Sequence, residues 1–171
     1  TDYIQKGSGS ERYALLANRI DNAVKSRREA ERAERQEELM RLTEIAGNTC
    51  GFELDTEAGE FTLTEGASRI FYAPEKENYD FEGGLQYFHP DDQEDIQQTV
   101  QRAVKTDERT QGTFRYQPPD GEQKLLDLTY IPTATDENTT TIRGSVHDVT
   151  DWKKREQELE EFETIIKALT D

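Results

Sequence analysis

The first 48 residues follow a helical pattern. Their apolar side chains recur at steps of three and four residues and so share one helix face; they are Tyr13, Leu16, Ile20 and Val24, then Leu39, Met40, Leu42 and Ile45. Ser8 and Glu11 precede this face at capping-box spacing, in which a hydroxyl and a carboxylate satisfy the free N–H groups of a helix start. Residues 25–38 are nearly all charged and predict a solvated helix held by charge pairs four residues apart.

The segment that follows changes to short alternating stretches separated by turns. Alternation of apolar and polar residues predicts five strands, at Gly51–Asp55, Phe61–Thr64, Thr113–Gln117, Lys124–Ile131 and Thr139–His147. A helix is predicted between the second and third strands, opening at His89-Pro90-Asp91-Asp92. Proline suits the first helical position, and carboxylates favour the positive end of the helix dipole. The predicted buried face of this helix is Ile96, Val100, Ala103 and Val104.

Residues 151–171 predict a last helix with a narrow apolar stripe. The stripe steps by three, four and three residues, which is the spacing of a coiled-coil seam; its members are Leu159, Phe162, Ile166 and Leu169. The pattern predicts a homodimer through the helical arms. A helix that packs on its own domain is the alternative.

Four local motifs occur in the order found in PAS domains. They are His89-Pro90-Asp91-Asp92, the turn Asp120-Gly121, Gly144, and Asp148-Val149-Thr150 followed by basic residues. Together with the order of strands and helices, they resemble the PAS and PAC signature of sensor kinases over residues 42–159. The resemblance implies an α+β PAS fold: a five-stranded antiparallel sheet with helices on one face, flanked by N- and C-terminal helices.

The beginning of the chain carries a second resemblance. Residues 2–7 and the helix after them are similar to the last strand and helix of a response-regulator receiver, and Lys6 matches the receiver lysine that contacts the phosphorylated aspartate. The implied division is a receiver remnant at 1–24, a charged linker helix at 25–41, a PAS domain at 42–150 and a signalling helix at 151–171. Receiver-then-PAS order is typical of halophilic archaeal transducer-like sensor kinases. A helical arm that happens to begin with this hexapeptide is the alternative.

The charge of the chain agrees with a salt-rich cytoplasm. Asp and Glu number 37 against 21 Lys and Arg, which gives a net charge of −16. Such a surface repels nucleic-acid phosphates and anionic lipid, so we expect no nucleic-acid contact by this chain. An ordinary acidic bacterial protein is the alternative explanation. The sequence holds neither an apolar run of the roughly 20 residues that span a membrane nor a signal peptide, which predicts a cytoplasmic location without membrane contact.

The residues that could carry chemistry do not form a catalytic set. His89 is expected to cap or pack at its helix start, and His147 to lie on the surface of a strand. With Cys50, these two histidines give no metal-ligand spacing. Cys50 also precedes the first strand, whereas flavin-binding relatives hold their cysteine in an Asn-Cys-Arg-Phe motif on a mid-domain helix. We therefore predict no enzyme activity and no metal site, and the sequence leaves any cofactor unknown.

Two groups of residues are predicted to matter for function. Asp148, Thr150 and Trp152 stand where the last strand meets the outgoing helix, and the resemblance implies that Asp148 links the two. Phe71, Tyr87 and Leu126 are candidates for lining or filling a cavity between sheet and helices.

The resemblance implies sensing or signal relay in a two-component protein, with an effector further along the same chain that is most often a histidine kinase. Two alternatives stand beside it. One is a ligand-free connector that dimerises and transmits receiver state. The other is the sensor part of a transcription regulator of the bacterio-opsin-activator type.

Overall fold

The computed structural model describes residues 8–71, 79–118, 121–136 and 139–170. The chain divides into two units, one that ends at Leu42 and one that begins at Thr43. The receiver-like hexapeptide with Lys6 lies outside the described residues, as do the side chains of Ser8 and Glu11.

The long helix α1 spans Ser8–Gly47 without interruption. The predicted charge pairing occurs at Arg27 and Glu31, whose side chains meet at 2.9 Å four residues apart. The apolar residues of its first part are exposed, with Tyr13 at 77%. The helix ends where Asn48 adopts a left-handed conformation, with φ of 51°.

An antiparallel sheet follows, with the strand order β3-β2-β1-β6-β5-β4. Its strands are β1 Thr49–Asp55, β2 Glu60–Leu63, β3 Tyr79–Asp80, β4 Thr110–Tyr116, β5 Lys124–Asp136 and β6 Thr139–Asp148. Five of them correspond to the predicted strands. The described chain has six because β3, only two residues long, pairs with Glu60 and Phe61 of β2. A two-residue strand leaves no alternating pattern for the sequence to show.

The described residues form four further helices: α2 Ala67–Phe71, α3 Phe81–Leu85, α4 Pro90–Thr106 and α5 Thr150–Thr170. The start of α4 is as predicted: His89 precedes Pro90 and its Nδ1 accepts a hydrogen bond from the Asp91 N–H at 3.3 Å. His147 is exposed on β6, as expected.

The core lies between the sheet and α2–α4. On the longer strands alternate residues face inward where their side chains are described, and those of β5, for example, are Leu126, Leu128 and Tyr130. The prediction that Val104 belongs to the buried face of α4 is wrong, because it is 37% exposed. Val104 is the neighbour of buried Ala103, and one residue turns a helix by about 100°, which carries its side chain off the core face. Thr99 is buried on this helix instead, and its hydroxyl donates to the Asp95 carbonyl at 2.7 Å.

Candidate ligand cavity and helix junctions

A cavity of about 660 Å³ lies between the inner face of the sheet and α2–α4. Aromatic side chains dominate its wall; they include Phe52, Phe61, Phe71, Phe81, Tyr87, Phe88, Tyr116 and Tyr130. Two of the three residues proposed from sequence, Phe71 and Tyr87, line it. The third, Leu126, does not: its side chain is fully buried in the core and fills space beside the cavity.

A glycine makes room for one wall of this cavity. Gly144 stands opposite Phe52 on β1 and opposite Tyr130 on β5. A Cβ at Gly144 would clash with the Thr129 carbonyl oxygen and with the ring of Phe52, so only glycine lets this ring lie over β6 here. The ring then meets Tyr130 edge to face at 5.5 Å between centroids. The Gly144 of the sequence motif therefore shapes the cavity wall.

The two buried tyrosines of the cavity wall differ in their hydrogen bonds. Tyr116 donates to the Phe71 carbonyl at 3.0 Å, and burial raises the pKa of Tyr116 to about 12. The hydroxyl of Tyr130 has no hydrogen-bond partner within the part of the chain that the structure describes. Burial also raises the pKa of Tyr130, so its hydroxyl stays protonated and neutral.

The junction between β6 and α5 is built around Asp148. Its carboxylate accepts hydrogen bonds from the N–H of Thr150 at 3.1 Å and from the Thr150 hydroxyl at 2.5 Å. The same hydroxyl accepts from the Leu125 N–H at 2.9 Å, which ties the first residue of α5 back to β5. Asp148 and Thr150 are thus brought together as the sequence suggested. Trp152 is not part of this contact; it is 58% exposed, with the Lys153 ammonium 4.5 Å from its ring centroid.

Lys124 extends this junction towards the cavity. Its ammonium lies 3.5 Å from the Asp148 carboxylate, and both side chains are largely buried, at 15% and 11% exposed. The ammonium also donates to the Ile70 carbonyl at 2.8 Å, at the C-terminal end of α2 where a cation is favoured. The next residue, Phe71, lines the cavity. A continuous set of contacts therefore runs from the cavity wall to α5.

A matching junction at the entry of the domain was missed by sequence reasoning. Glu44, near the end of α1, is only 6% exposed. Its carboxylate accepts from the Thr64 hydroxyl, from the Gly51 N–H at 3.3 Å and from the Gly66 N–H at 3.0 Å. A glutamate among the charges of a long helix gives no local signal that it is buried. The partners follow only once β1 and β2 are paired.

The remaining polar candidates are structural. Asp92 forms a two-pronged ion pair with Arg115 on β4, at 2.9 and 2.5 Å, and these hydrogen bonds hold the pKa of Asp92 below its usual value. A carboxyl kept ionised in this way is unsuited to act as a general acid. Cys50 is buried on β1, and burial, reinforced by Glu44, raises the pKa of its thiol to about 12. Among the described residues, no cluster of His, Cys, Asp and Glu has the grouping of a metal site.

The stripe of α5 is exposed on this single chain. Leu159 and Phe162 are 66% and 62% exposed, and Ile166 and Leu169 are 46% and 80% exposed.

The described part of the chain contains no helix long and apolar enough to cross a membrane.

Comparisons with known proteins agree with this architecture. The family model described as PAS fold matches residues 62–146. A sensory box histidine kinase/response regulator from Burkholderia thailandensis superposes with a TM-score of 0.60 at 14% identity, over 75% of this chain and 97% of that chain. A domain described as that of a light and redox sensing histidine kinase from Haloarcula marismortui gives 0.53 at 20% identity, over 64% and 98%.

The N-terminal domain of a diguanylate cyclase with PAS/PAC sensor from Marinobacter aquaeolei gives a TM-score of 0.53 at 13% identity, over 60% of this chain and 95% of that chain. The search of curated proteins found no match. At these identities the likeness concerns the fold, and the fold, the family model and the order of elements agree. The chain therefore has the PAS fold.

Proposed function

We propose that this PAS domain is a cytoplasmic sensory and signal-relay module of a two-component signalling protein from a halophilic archaeon. In this proposal a receiver precedes α1, and an effector in the same protein, a histidine kinase, follows α5. The domain itself carries no catalysis. Its input is the occupancy of the cavity or the state of the receiver, and its output leaves through α5 in a homodimer.

One observation carries the proposal: Lys124 bonds both the end of α2 and the carboxylate of Asp148. Phe71, at the end of α2, faces the cavity, while Asp148 holds the first residue of α5. A change at the cavity wall that shifts α2 would therefore alter the position of Lys124 and the helix start together. Coupling between two sites is typically worth about 1–3 kcal/mol, which is the scale of one such charged contact.

The experiment measures histidine autophosphorylation in the protein that joins this chain to its effector. Asp148→Ala should change basal autophosphorylation or its response to stimulus, while the melting curve of the domain remains cooperative. Glu53→Ala is the matched control, because it removes an exposed carboxylate paired with Arg143 on the same sheet, at 48% and 64% exposed. Lys124→Met should give the same phenotype as Asp148→Ala, and the double variant should be no more severe than either one. Normal output in Asp148→Ala would refute the relay role, and outright unfolding would make Asp148 structural.

A ligand-free connector is the second candidate, and one contact favours it. The Asp148 N–H donates to the Asn48 carbonyl at 3.1 Å, so the residue after α1 directly contacts the last residue of β6, two residues before α5 begins. A connector would relay receiver state through this contact and would keep its response when the cavity is blocked. A sensor would lose that response. If the effector is a DNA-binding domain instead, the bacterio-opsin-activator type applies, and reporter transcription replaces autophosphorylation as the readout.

A further inference from the structure

The short helix α2 is in contact with both junctions. It spans only Ala67–Phe71, and its residues Ala67 and Ile70 are buried, at 4% and 1% exposed. A helix this short is not stable by itself in water, because forming the first turn costs more than its few backbone hydrogen bonds return. The position of α2 therefore depends on the groups that bond its two ends.

The start of α2 is held by Glu44, the buried carboxylate near the end of α1. This carboxylate accepts from the Gly66 N–H at 3.0 Å and from the Thr64 hydroxyl. The Thr64 carbonyl in turn accepts from the Ala67 N–H at 3.0 Å. The Gly66 carbonyl accepts from the Arg69 N–H at 3.3 Å. The first turn of α2 is thus bonded to the same two residues that Glu44 holds, so a movement of Glu44 would displace them together.

The end of α2 is held by side chains of the sheet. The Lys124 ammonium, on β5, donates to the carbonyls of Arg69 and Ile70 at 3.3 and 2.8 Å. The Tyr116 hydroxyl, on β4, donates to the carbonyl of Phe71 at 3.0 Å. The last three carbonyls of α2 therefore all accept from side chains, and a shift of α2 would move these side chains or break their hydrogen bonds.

Lys124 connects α2 to the outgoing helix. Its ammonium lies 3.5 Å from the Asp148 carboxylate, which accepts from the N–H of Thr150, the first residue of α5. One series of contacts therefore runs from Glu44 through α2 and Lys124 to α5. A second route is shorter, because the Asp148 N–H donates directly to the Asn48 carbonyl. The two routes are distinguishable, since the first alone passes through α2 and Lys124.

We infer that α2 couples the two flanking helices: loss of the Glu44 contact at its start loosens its end and, through Lys124, the first turn of α5. Coupling of this kind needs an element whose position both sites bias, and α2 is bonded from both sides. The inference goes beyond a relay from the cavity to α5, because it gives the incoming helix α1 the same outlet. It rests on the proposed function in taking α5 as the output.

Amide hydrogen exchange followed by NMR tests the coupling in the 171-residue chain at one high salt concentration. The probes are the Arg69 N–H in α2 and the Lys153 N–H, which donates to the Val149 carbonyl at 2.9 Å in the first turn of α5. Glu44→Ala should speed exchange at both probes by about tenfold or more, as expected when a hydrogen bond to a charged group is lost. Lys124→Met should do the same.

A reference amide and two control variants separate local loosening from a general loss of stability. Rates are taken relative to the Leu128 amide in the middle of β5, whose exchange reports global unfolding. The controls remove exposed charges, with Glu38→Ala on α1 and Lys105→Met in the last turn of α4. Both controls should leave the two probes within about twofold of the wild type, the usual effect of a surface substitution.

The double variant separates the two routes. If α2 carries the coupling, Glu44→Ala adds less than about twofold at Lys153 once Lys124 is already methionine, whereas independent sites would multiply their effects. Should Glu44→Ala fail to fold, Glu44→Gln gives the same comparison with a smaller expected change, because it keeps one acceptor oxygen.

Three results would overturn the inference. An unchanged Lys153 rate in Glu44→Ala would show that α5 does not respond to this contact. A faster Lys153 rate with an unchanged Arg69 rate would assign the coupling to Asn48, and so would independent effects in the double variant. These measurements need no effector, so the autophosphorylation assay of Asp148→Ala judges the proposed function separately.

Discussion

Glu44 offers the sharpest test of how the domain holds its incoming helix. Its carboxylate is buried and accepts from Thr64, Gly51 and Gly66, so it joins the end of α1 to the start of β1, to the residue after β2 and to the approach of α2. Glu44→Ala removes all three acceptor contacts. Gly51 keeps a second acceptor, the Thr64 hydroxyl oxygen at 2.7 Å. The Gly66 N–H loses its acceptor, and the Thr64 hydroxyl is left with a weaker one, the Gly51 carbonyl oxygen at 3.3 Å.

The cost follows from those two contacts. A hydrogen bond to a charged group contributes about 1.5–3 kcal/mol, so two of them amount to roughly 3–6 kcal/mol. Water entering the space left by the side chain recovers part of this. We therefore expect a loss of about 2–4 kcal/mol in the free energy of unfolding, against a total of about 5–15 kcal/mol for a typical domain. At about 4 °C per kcal/mol the melting temperature should fall by roughly 8–16 °C.

Circular dichroism melts at one fixed, high salt concentration measure this change. Glu38→Ala is the matched control: it deletes an exposed carboxylate from the same helix and therefore reports the effect of net charge alone. Glu44→Gln should fall between the two, because its amide oxygen can still accept while its NH₂ group faces a backbone donor. If Glu44→Ala melts like Glu38→Ala, the buried carboxylate does not hold the junction.

Three further outcomes are expected. The net charge of −16 should permit full folding only near about 1 M salt, where the Debye length is about 3 Å; an unchanged melting temperature in dilute potassium chloride would contradict this. Replacing Phe162 and Ile166 together by Asp should dissociate the proposed homodimer, because each apolar side chain buried between the helices would contribute about 1.5–3 kcal/mol; light scattering that finds a monomer before mutation would exclude such a dimer. Since Arg115 lowers the pKa of Asp92, their contribution to stability is present above about pH 4 and lost as the pH falls further, through the folded pKa. Acid titration of Asp92→Asn should therefore show a smaller loss of stability than the wild type, and equal losses would refute this role of the pair.

Most of the fold was predictable because strands, turns and helix starts depend on residues that are close together in the sequence. Alternation located five strands, and the proline and carboxylates after His89 located the start of α4. The errors arose where tertiary packing decides. Val104 is apolar but lies off the core face of its helix, and the two residues of β3 form a strand only because β2 is beside them.

The candidate site was likewise predictable where it depends on neighbouring residues, and not where it depends on tertiary contacts. Residue parity indicates that Leu126 faces inward, but not that it lies in the filled part of the core rather than at the cavity. One wall of the cavity depends on Gly144, which leaves room for the ring of Phe52 to lie over β6. Asp148 and Thr150 were identifiable because they are two residues apart at the start of α5, so their contact depends only on the local sequence. The roles of Lys124 and Glu44 were not, since all of their partners except Gly51 lie 20 or more residues away along the chain.

The two junctions share one chemical arrangement. In each, a buried or nearly buried carboxylate accepts from a threonine hydroxyl, and that hydroxyl accepts from a backbone N–H of a strand: Glu44 and Thr64 with Gly51, and Asp148 and Thr150 with Leu125. A hydroxyl that donates to a carboxylate while it accepts from a backbone N–H holds the carboxylate close to that strand. Both flanking helices are therefore attached to the sheet by their terminal residues.

In the proposed relay, this attachment would let α5 act as a lever. None of the residues Thr150–Thr170 is buried, so the direction of α5 is set at its first turn, by Asp148 and Thr150. At about 1.5 Å per residue its 21 residues reach roughly 30 Å from the junction. A tilt of about 5° at the first turn then moves the far end by nearly 3 Å, by the geometry of a rigid helix of that length. Displacements of about 1–2 Å between packed helices are enough to switch an interface. In the proposed homodimer, a very small movement of the Lys124–Asp148 contact would therefore change how the exposed stripe of α5 packs against its partner helix.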